Sequence, residues 1–328
     1  METSLAYILE MAENFAAYDR CAKKILSYKD VAAYIVKYCT SEFRDYDVGY
    51  IADHSIGDVS ISTKAVHQDQ KDKMLSGEER IIQMNSESSS MKEGKVFYDI
   101  RFKATVPGED KPILLIINIE MQKNDHPGYS VVTRAIYYSA RMISEQYGTV
   151  FTDDNYQDIQ KTYSIWICPT PAGKRENSIL RFNIAGKVEY GKPSALNDKA
   201  DYDKMEVVVI SLGNPEGAKE NELLDLLSTL FSKGIPVDER KNILSTRYRI
   251  RMTKEFESEV TEVSRLSYAI AETGFNKGLA KGREEGQLEL LFKLFIGGKL
   301  SLTDSATQAN MTEEEFLKKK EEYEKANF

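Results

Sequence analysis

The sequence predicts an α/β domain, a central mixed sheet flanked by helices, followed by a helical C-terminal region. Three observations carry that expectation. Two apolar runs, at residues 98–102 and 113–122, flank Val106-Pro107-Gly108-Glu109-Asp110-Lys111-Pro112, whose Pro-Gly and acidic residues read as the turn of an antiparallel hairpin. A helical pattern over about residues 129–147 then leads to the apolar run 163–169, so strand, helix and strand form a βαβ unit with a right-handed crossover. From Asn221 the pattern turns helical, with Leu223, Leu226, Leu227 and Leu230 in one stripe that docks on the core or on another subunit. The expected division is an α/β domain at residues 1–215 and a helical region at 216–328.

The remaining elements follow in order. Residues 5–43 carry helical periodicity in two helices broken around residues 27–29. Residues 54–91 are polar and read mostly as loop, with Ser86-Glu87-Ser88-Ser89-Ser90 the least structured part. Further strands are expected at 179–184 and 207–212, the second ending at Gly213-Asn214-Pro215. In the tail, Gly274, Gly278, Gly282 and Gly286 recur every fourth residue; we read a marginal helix with a smooth strip for close packing. Residues 300–316 read as two short capped helices joined by a turn, similar in outline to a helix-turn-helix. Glu313, Glu314 and Glu315 open the second of these and favour a protein contact over a DNA reader.

The hairpin puts acids into otherwise apolar strands. An unpaired carboxylate there loses several kcal/mol of solvation, so the placement asks for a metal or a fixed basic partner. A reversal centred near Glu109 and Asp110 places Asp99 opposite Glu120, with Cβ atoms about 5 Å apart. Period-2 alternation puts Asn118, Glu120 and Gln122 on one face and Ile117, Ile119 and Met121 on the other. Arg101 or Lys103 neutralising the acids across the sheet is the competing reading.

The pattern of Asp, a hairpin's length, then Glu-x-Gln resembles the PD-(D/E)xK nuclease superfamily, and the surrounding text is similar to its transposase-associated, recombination-promoting nuclease branch. The likeness runs through Tyr98-Asp99-Ile100-Arg101-Phe102, Glu120-Met121-Gln122-Lys123, Pro127-Gly128-Tyr129, Thr133-Arg134, Tyr138, Ala140-Arg141-Met142-Ile143 and Tyr163-Ser164-Ile165-Trp166-Ile167-Cys168. It implies a restriction-endonuclease-like core in which Asp99, Glu120 and Gln122 are catalytic. Asp99 and Glu120 would hold Mg²⁺, or Mn²⁺ in its place, with Glu42 and Glu87 as lesser metal-ligand candidates. The superfamily's usual third motif residue is Lys; Gln122 can orient a water but supplies no charge. Tyr98 stands where the pattern's Pro is expected.

Charge and composition narrow the class. With 328 residues, 41% hydrophobic and 29% charged, the chain can bury a large core. A net charge of −8 is the wrong sign for coating DNA, so contact with a DNA partner must be local. Arg134, Tyr138 and Arg141 share a helical face and are the candidate phosphate contacts. A second basic run, Arg247-Tyr248-Arg249-Ile250-Arg251, is followed by Glu255, Glu257 and Glu259, and intrahelical or interhelical pairing is expected for it. Cys21, Cys39 and Cys168 lack C-x-x-C spacing, and the histidines are His54, His67 and His126. Together they argue against a structural zinc site, a disulfide framework or a Ser/His/Asp triad. No basic-then-apolar leader and no membrane-length run is present, and a cytoplasmic location is expected. The leading expectation is a metal-dependent DNA endonuclease of a mobile element, with homo-oligomers formed through the C-terminal helices. Its alternative is a catalytically weak or inactive nuclease-fold protein acting as a nucleic-acid or protein binding and assembly module, and a small-substrate phosphoesterase stands third.

Overall fold

The computed structural model describes residues 2–56, 87–90, 94–97, 99–107, 113–122, 127–171, 173–196, 198–232 and 234–327. Its helices are α1 (Glu2–Leu26), α2 (Lys29–Cys39), α3 (Val48–Tyr50), α4 (Val131–Ser144), α5 (Lys199–Tyr202), α6 (Pro215–Ala218), α7 (Glu222–Phe231), α8 (Val237–Thr246), α9 (Lys254–Ile296), α10 (Leu302–Gln308) and α11 (Glu313–Asn327). Its strands are β1 (Glu87–Ser90), β2 (Gly94–Phe97), β3 (Ile100–Val106), β4 (Ile113–Met121), β5 (Thr162–Cys168), β6 (Ser178–Asn183) and β7 (Met205–Ser211).

The central sheet has the order β3-β4-β5-β7-β6. It is mixed: β4, β5 and β7 run parallel, while β3 and β6 lie antiparallel to their neighbours at the two edges. Strand β4, helix α4 and strand β5 are the expected βαβ unit. The pair β1 and β2 stands apart as a two-stranded ladder, Glu87 opposite Phe97. This corrects the loop reading for residues 87–90. A serine-rich run has no apolar alternation from which pairing could be read.

Alternation along the strands sorts the two faces. Ile116 of β4, Trp166 of β5, and Val207 and Val209 of β7 share one core with Val131, Ala135, Tyr138 and Met142 of α4. The intervening positions, Ile117, Ile119, Tyr163, Ile165, Ile167, Val208 and Ile210, belong to the larger core on the other face. There they meet Val31 and Ile35 of α2, the leucine stripe of α7, and Phe256, Val260 and Val263 of α9. Each fully buried aliphatic side chain of this kind contributes roughly 1.5–3 kcal/mol of transfer free energy. Leu223, Leu226, Leu227 and Leu230 are fully buried, so the stripe docks on the core. Asn221 caps α7 by accepting from Leu224 N at 3.0 Å, and buried Arg240 donates to the Leu230 and Ser232 carbonyls at 2.6 and 2.7 Å. The carbonyls at the end of α7 thereby keep partners away from water.

Two arginines of the second basic run are paired with aspartates. Arg247 meets Asp225 at 2.7 Å and Arg251 meets Asp30 at 2.6 Å, while the Tyr248 hydroxyl donates to Asp225 at 2.5 Å. The expected pairing is thus made with aspartates on α2 and α7. Arg249, inside the run, has φ +52°, and that left-handed turn redirects the chain before α9 begins.

The chain divides into two compact units, residues 12–267 and residues 1–11 with 268–328. The boundary expected between residues 215 and 216 falls inside the larger unit, because α7 completes its core. In the smaller unit, Leu291, Phe292, Ala306 and Phe316 of α9, α10 and α11 form a core of their own. Ser301 Oγ caps α10 by accepting from Asp304 N at 3.1 Å. Thr312 and Glu315 form a reciprocal capping box at α11, with bonds of 2.9 and 3.2 Å. The two capped helices are those expected, and the glycine repeat lies within α9. Among the described residues no helix is long and apolar enough to cross a membrane.

Candidate active site

The hairpin register fixes the site. Ile100 pairs with Ile119, and one step further along the same ladder Asp99 falls opposite Glu120. The two acids lock each other to the opposing backbone. Asp99 N donates to Glu120 Oε1 at 3.0 Å, and Met121 N donates to Asp99 Oδ2 at 3.1 Å. Glu120 is only 3% exposed. Gln122 follows at the end of β4, half-buried, with its backbone N–H donated to the Ile167 carbonyl at 2.9 Å.

A basic partner arrives from far upstream. Lys23, in the last turn of α1, places Nζ 2.9 Å from Asp99 Oδ1 and 2.6 Å from Asp19 Oδ2. Burial pulls the Lys23 pKa down, but Asp99 and Asp19 more than offset it and the net direction is up. The cross-sheet residue Arg101 reaches a different acid, Glu145 at the end of α4, at 2.5 Å.

Helix α4 brings Arg134 and Tyr138 to the same end of the sheet. Trp166 is the register neighbour of Glu120, and the Arg134 guanidinium carbon lies 5.1 Å from its ring centroid. Arg134 Nε and an Nη donate to the Tyr138 hydroxyl at 3.1 and 2.6 Å, and the other Nη donates to the Tyr129 hydroxyl at 2.7 Å. The guanidinium is held flat by aromatic contact and by phenols, with further N–H donors left over from its five. Burial raises the Tyr138 pKa; the Arg134 hydrogen bond opposes this, and the charges of Glu120 and Asp99 add to it. Arg141, seven residues on, is buried, so of the two arginines expected on the phosphate-binding face Arg134 alone stays partly accessible.

Of the lesser metal candidates, Glu42 is held by other partners. Glu42 accepts from the Tyr163 hydroxyl at 2.5 Å and pairs with Lys161 at 3.0 Å. Tyr163 aligns with Ile117, three positions before Glu120, and belongs to the core on the opposite face of the sheet. Tyr163 and Lys161 thus already engage the Glu42 carboxylate. Lys161 also meets Asp203 at 2.9 Å and Glu206 at 3.4 Å, and Glu206 pairs in turn with Arg181. Burial raises the Glu42 pKa, but Tyr163 and Lys161 outweigh it and the net direction is down. Asp203 moves down likewise, Lys161 and Lys199 outweighing burial. Glu87 lies on β1; its side chain is outside the described residues. Among the described residues no group of three or more His, Cys, Asp or Glu is arranged to hold a metal.

The donor set nevertheless fits Mg²⁺. That ion is commonly held by one or two carboxylates with water completing its shell, and Asp99 and Glu120 supply hard oxygen donors side by side. A carboxylate oxygen that accepts an N–H keeps a second lone pair for a cation. Lys23 and Asp19 were not legible as site neighbours. Asp19 and Lys23 showed only helical i, i+4 spacing, a common surface pattern.

A mixed sheet flanked by helices, with an acidic pair on the β3–β4 hairpin and an arginine set beside it, is the frame of a restriction-endonuclease-like nuclease domain. Residues 80–226 match the family model described as PD-(D/E)XK nuclease family transposase. No curated protein and no solved structure matches the chain.

Proposed function

We propose that this chain is a metal-dependent DNA endonuclease of a mobile-element family, hydrolysing phosphodiester bonds with Mg²⁺, or Mn²⁺ in its place. The observation that carries this reading is the reciprocal locking of Asp99 and Glu120 across the hairpin, beside an arginine fixed over Trp166. Asp99 and Glu120 hold the metal, which when bound acidifies a water and offsets charge developing on phosphorus. Gln122 orients the attacking water. Arg134 supplies positive charge to the phosphate through its remaining N–H donors, and Tyr138 keeps its fork in place. The local cation answers the chain's net charge of −8.

Two further readings belong to the same proposal. The protein acts in the cytoplasm, and copies of it associate through the C-terminal helices. Two observations favour the alternative of a catalytically weak binding and assembly module: Asp99 is already paired with Lys23, and Gln122 brings no charge.

The test is nicking of supercoiled plasmid with and without Mg²⁺ or Mn²⁺. Asp99→Asn and Glu120→Gln are expected to abolish nicking while leaving the circular dichroism spectrum unchanged. Full activity in either variant overturns the assignment, and wild-type protein that binds DNA without cutting it favours the binding module.

A further inference from the structure

Lys23 does not belong to the hairpin, to α4 or to the matched stretch of residues 80–226, yet its ammonium touches one of the two acids on which the site is built. It is bonded at the same time to Asp19, one helical turn back on α1. An ammonium in hydrogen-bond contact with Asp99 Oδ1 is a like charge to any divalent cation seated between Asp99 and Glu120. Asp19 offers it another place to stand, since the Asp19 contact, at 2.6 Å, is the shorter of the two.

We propose that Lys23 is a built-in competitor of the divalent cation: it neutralises Asp99 while no cation is bound and is handed to Asp19 when one enters. This rests on the reading of Asp99 and Glu120 as the cation site. Asp19 and Lys23 thereby set the cation affinity of the acidic pair without being ligands to the ion. The sharing needs only a side-chain rotation, because a lysine ammonium has three donors on a flexible stem. The acidic pair is then never an uncompensated charge in a half-buried setting, with or without an ion.

The two partners give opposite expectations. Lys23→Met removes the competing charge and is expected to tighten Mn²⁺ binding by about tenfold, the scale of a like charge at contact distance in a partly screened site. Asp19→Asn removes the alternative partner, holds Lys23 on Asp99 and is expected to weaken Mn²⁺ binding several-fold. Asp19 is half-exposed on a helix, so this variant keeps the fold if Lys23→Met does not. Binding is read by isothermal titration calorimetry with MnCl₂ on the full chain, with the Mn²⁺-induced rise in Tm as a second readout. Equal or weaker binding by Lys23→Met, or unchanged binding by Asp19→Asn, overturns the proposal. Glu120→Gln separates the two layers of the argument. If Mn²⁺ still binds that variant as it binds wild type, or binds neither wild type nor Lys23→Met, the cation site itself is misassigned and the proposal falls with it.

Discussion

Replacing Lys161 with Met tests whether the acids around it form a structural network or belong to the chemistry. Lys161 is 8% exposed and stands among Glu42, Asp203 and Glu206 at 3.0, 2.9 and 3.4 Å. Methionine keeps the volume and removes the charge, leaving three carboxylates, of which Glu206 retains Arg181. Breaking a buried ion pair by removing one partner costs about 3–5 kcal/mol, since the other charge stays uncompensated. The side chains of Glu42 and Asp203 keep 17% and 13% exposure, which places the expected loss at the lower end, about 3 kcal/mol at pH 7. The pH dependence carries the sharper expectation. In the native protein Glu42 and Asp203 have lowered pKa values, so their stabilisation is present above the ordinary carboxylate range and is lost as pH falls through the lowered values. Without Lys161 the lowering is smaller, with Tyr163 at Glu42 and Lys199 at Asp203 left to oppose burial, so the variant recovers part of its deficit as pH falls from 7 towards the ordinary carboxylate range. Urea denaturation at pH 7 and pH 5, following both tryptophan fluorescence and circular dichroism, reads both effects. A loss below about 1 kcal/mol at pH 7, the scale of an exposed pair, or a deficit that grows in acid, refutes the reasoning.

Two expectations concern the other surfaces. Arg134→Ala should weaken DNA binding and lower the salt slope by about one; retained binding and slope would make Arg134 a structural clamp for Tyr129 and Tyr138. A Cβ built on Gly282 or Gly286 of α9 meets nothing within 4 Å. Gly282→Ala and Gly286→Ala should therefore each stabilise the helix by about 0.8–1 kcal/mol in thermal unfolding. Destabilisation, or loss of an oligomer in sedimentation analysis, would instead mark that strip as packed against a second copy.

What the sequence determined by itself is what short-range periodicity encodes. A turn centred between Glu109 and Asp110 sets the sum of paired residue numbers along the hairpin, and this is enough to set Asp99 opposite Glu120. Helical spacing placed Arg134 and Tyr138 on one face, the leucines of α7 in one stripe, and the caps at Ser301 and Thr312. Only the tertiary structure decided which charges meet. Lys23 reaches Asp99 because α1 ends beside the hairpin, and Glu42 is drawn to Lys161 and Tyr163. The basic run at residues 247–251 found Asp225 and Asp30. Ion pairing between distant segments leaves no period in the chain: a lysine or glutamate on an exposed helix and one destined for a half-buried carboxylate cluster have the same local spacing. Only the packing of elements, which excludes water and fixes which side chains lie within a few ångströms, tells them apart.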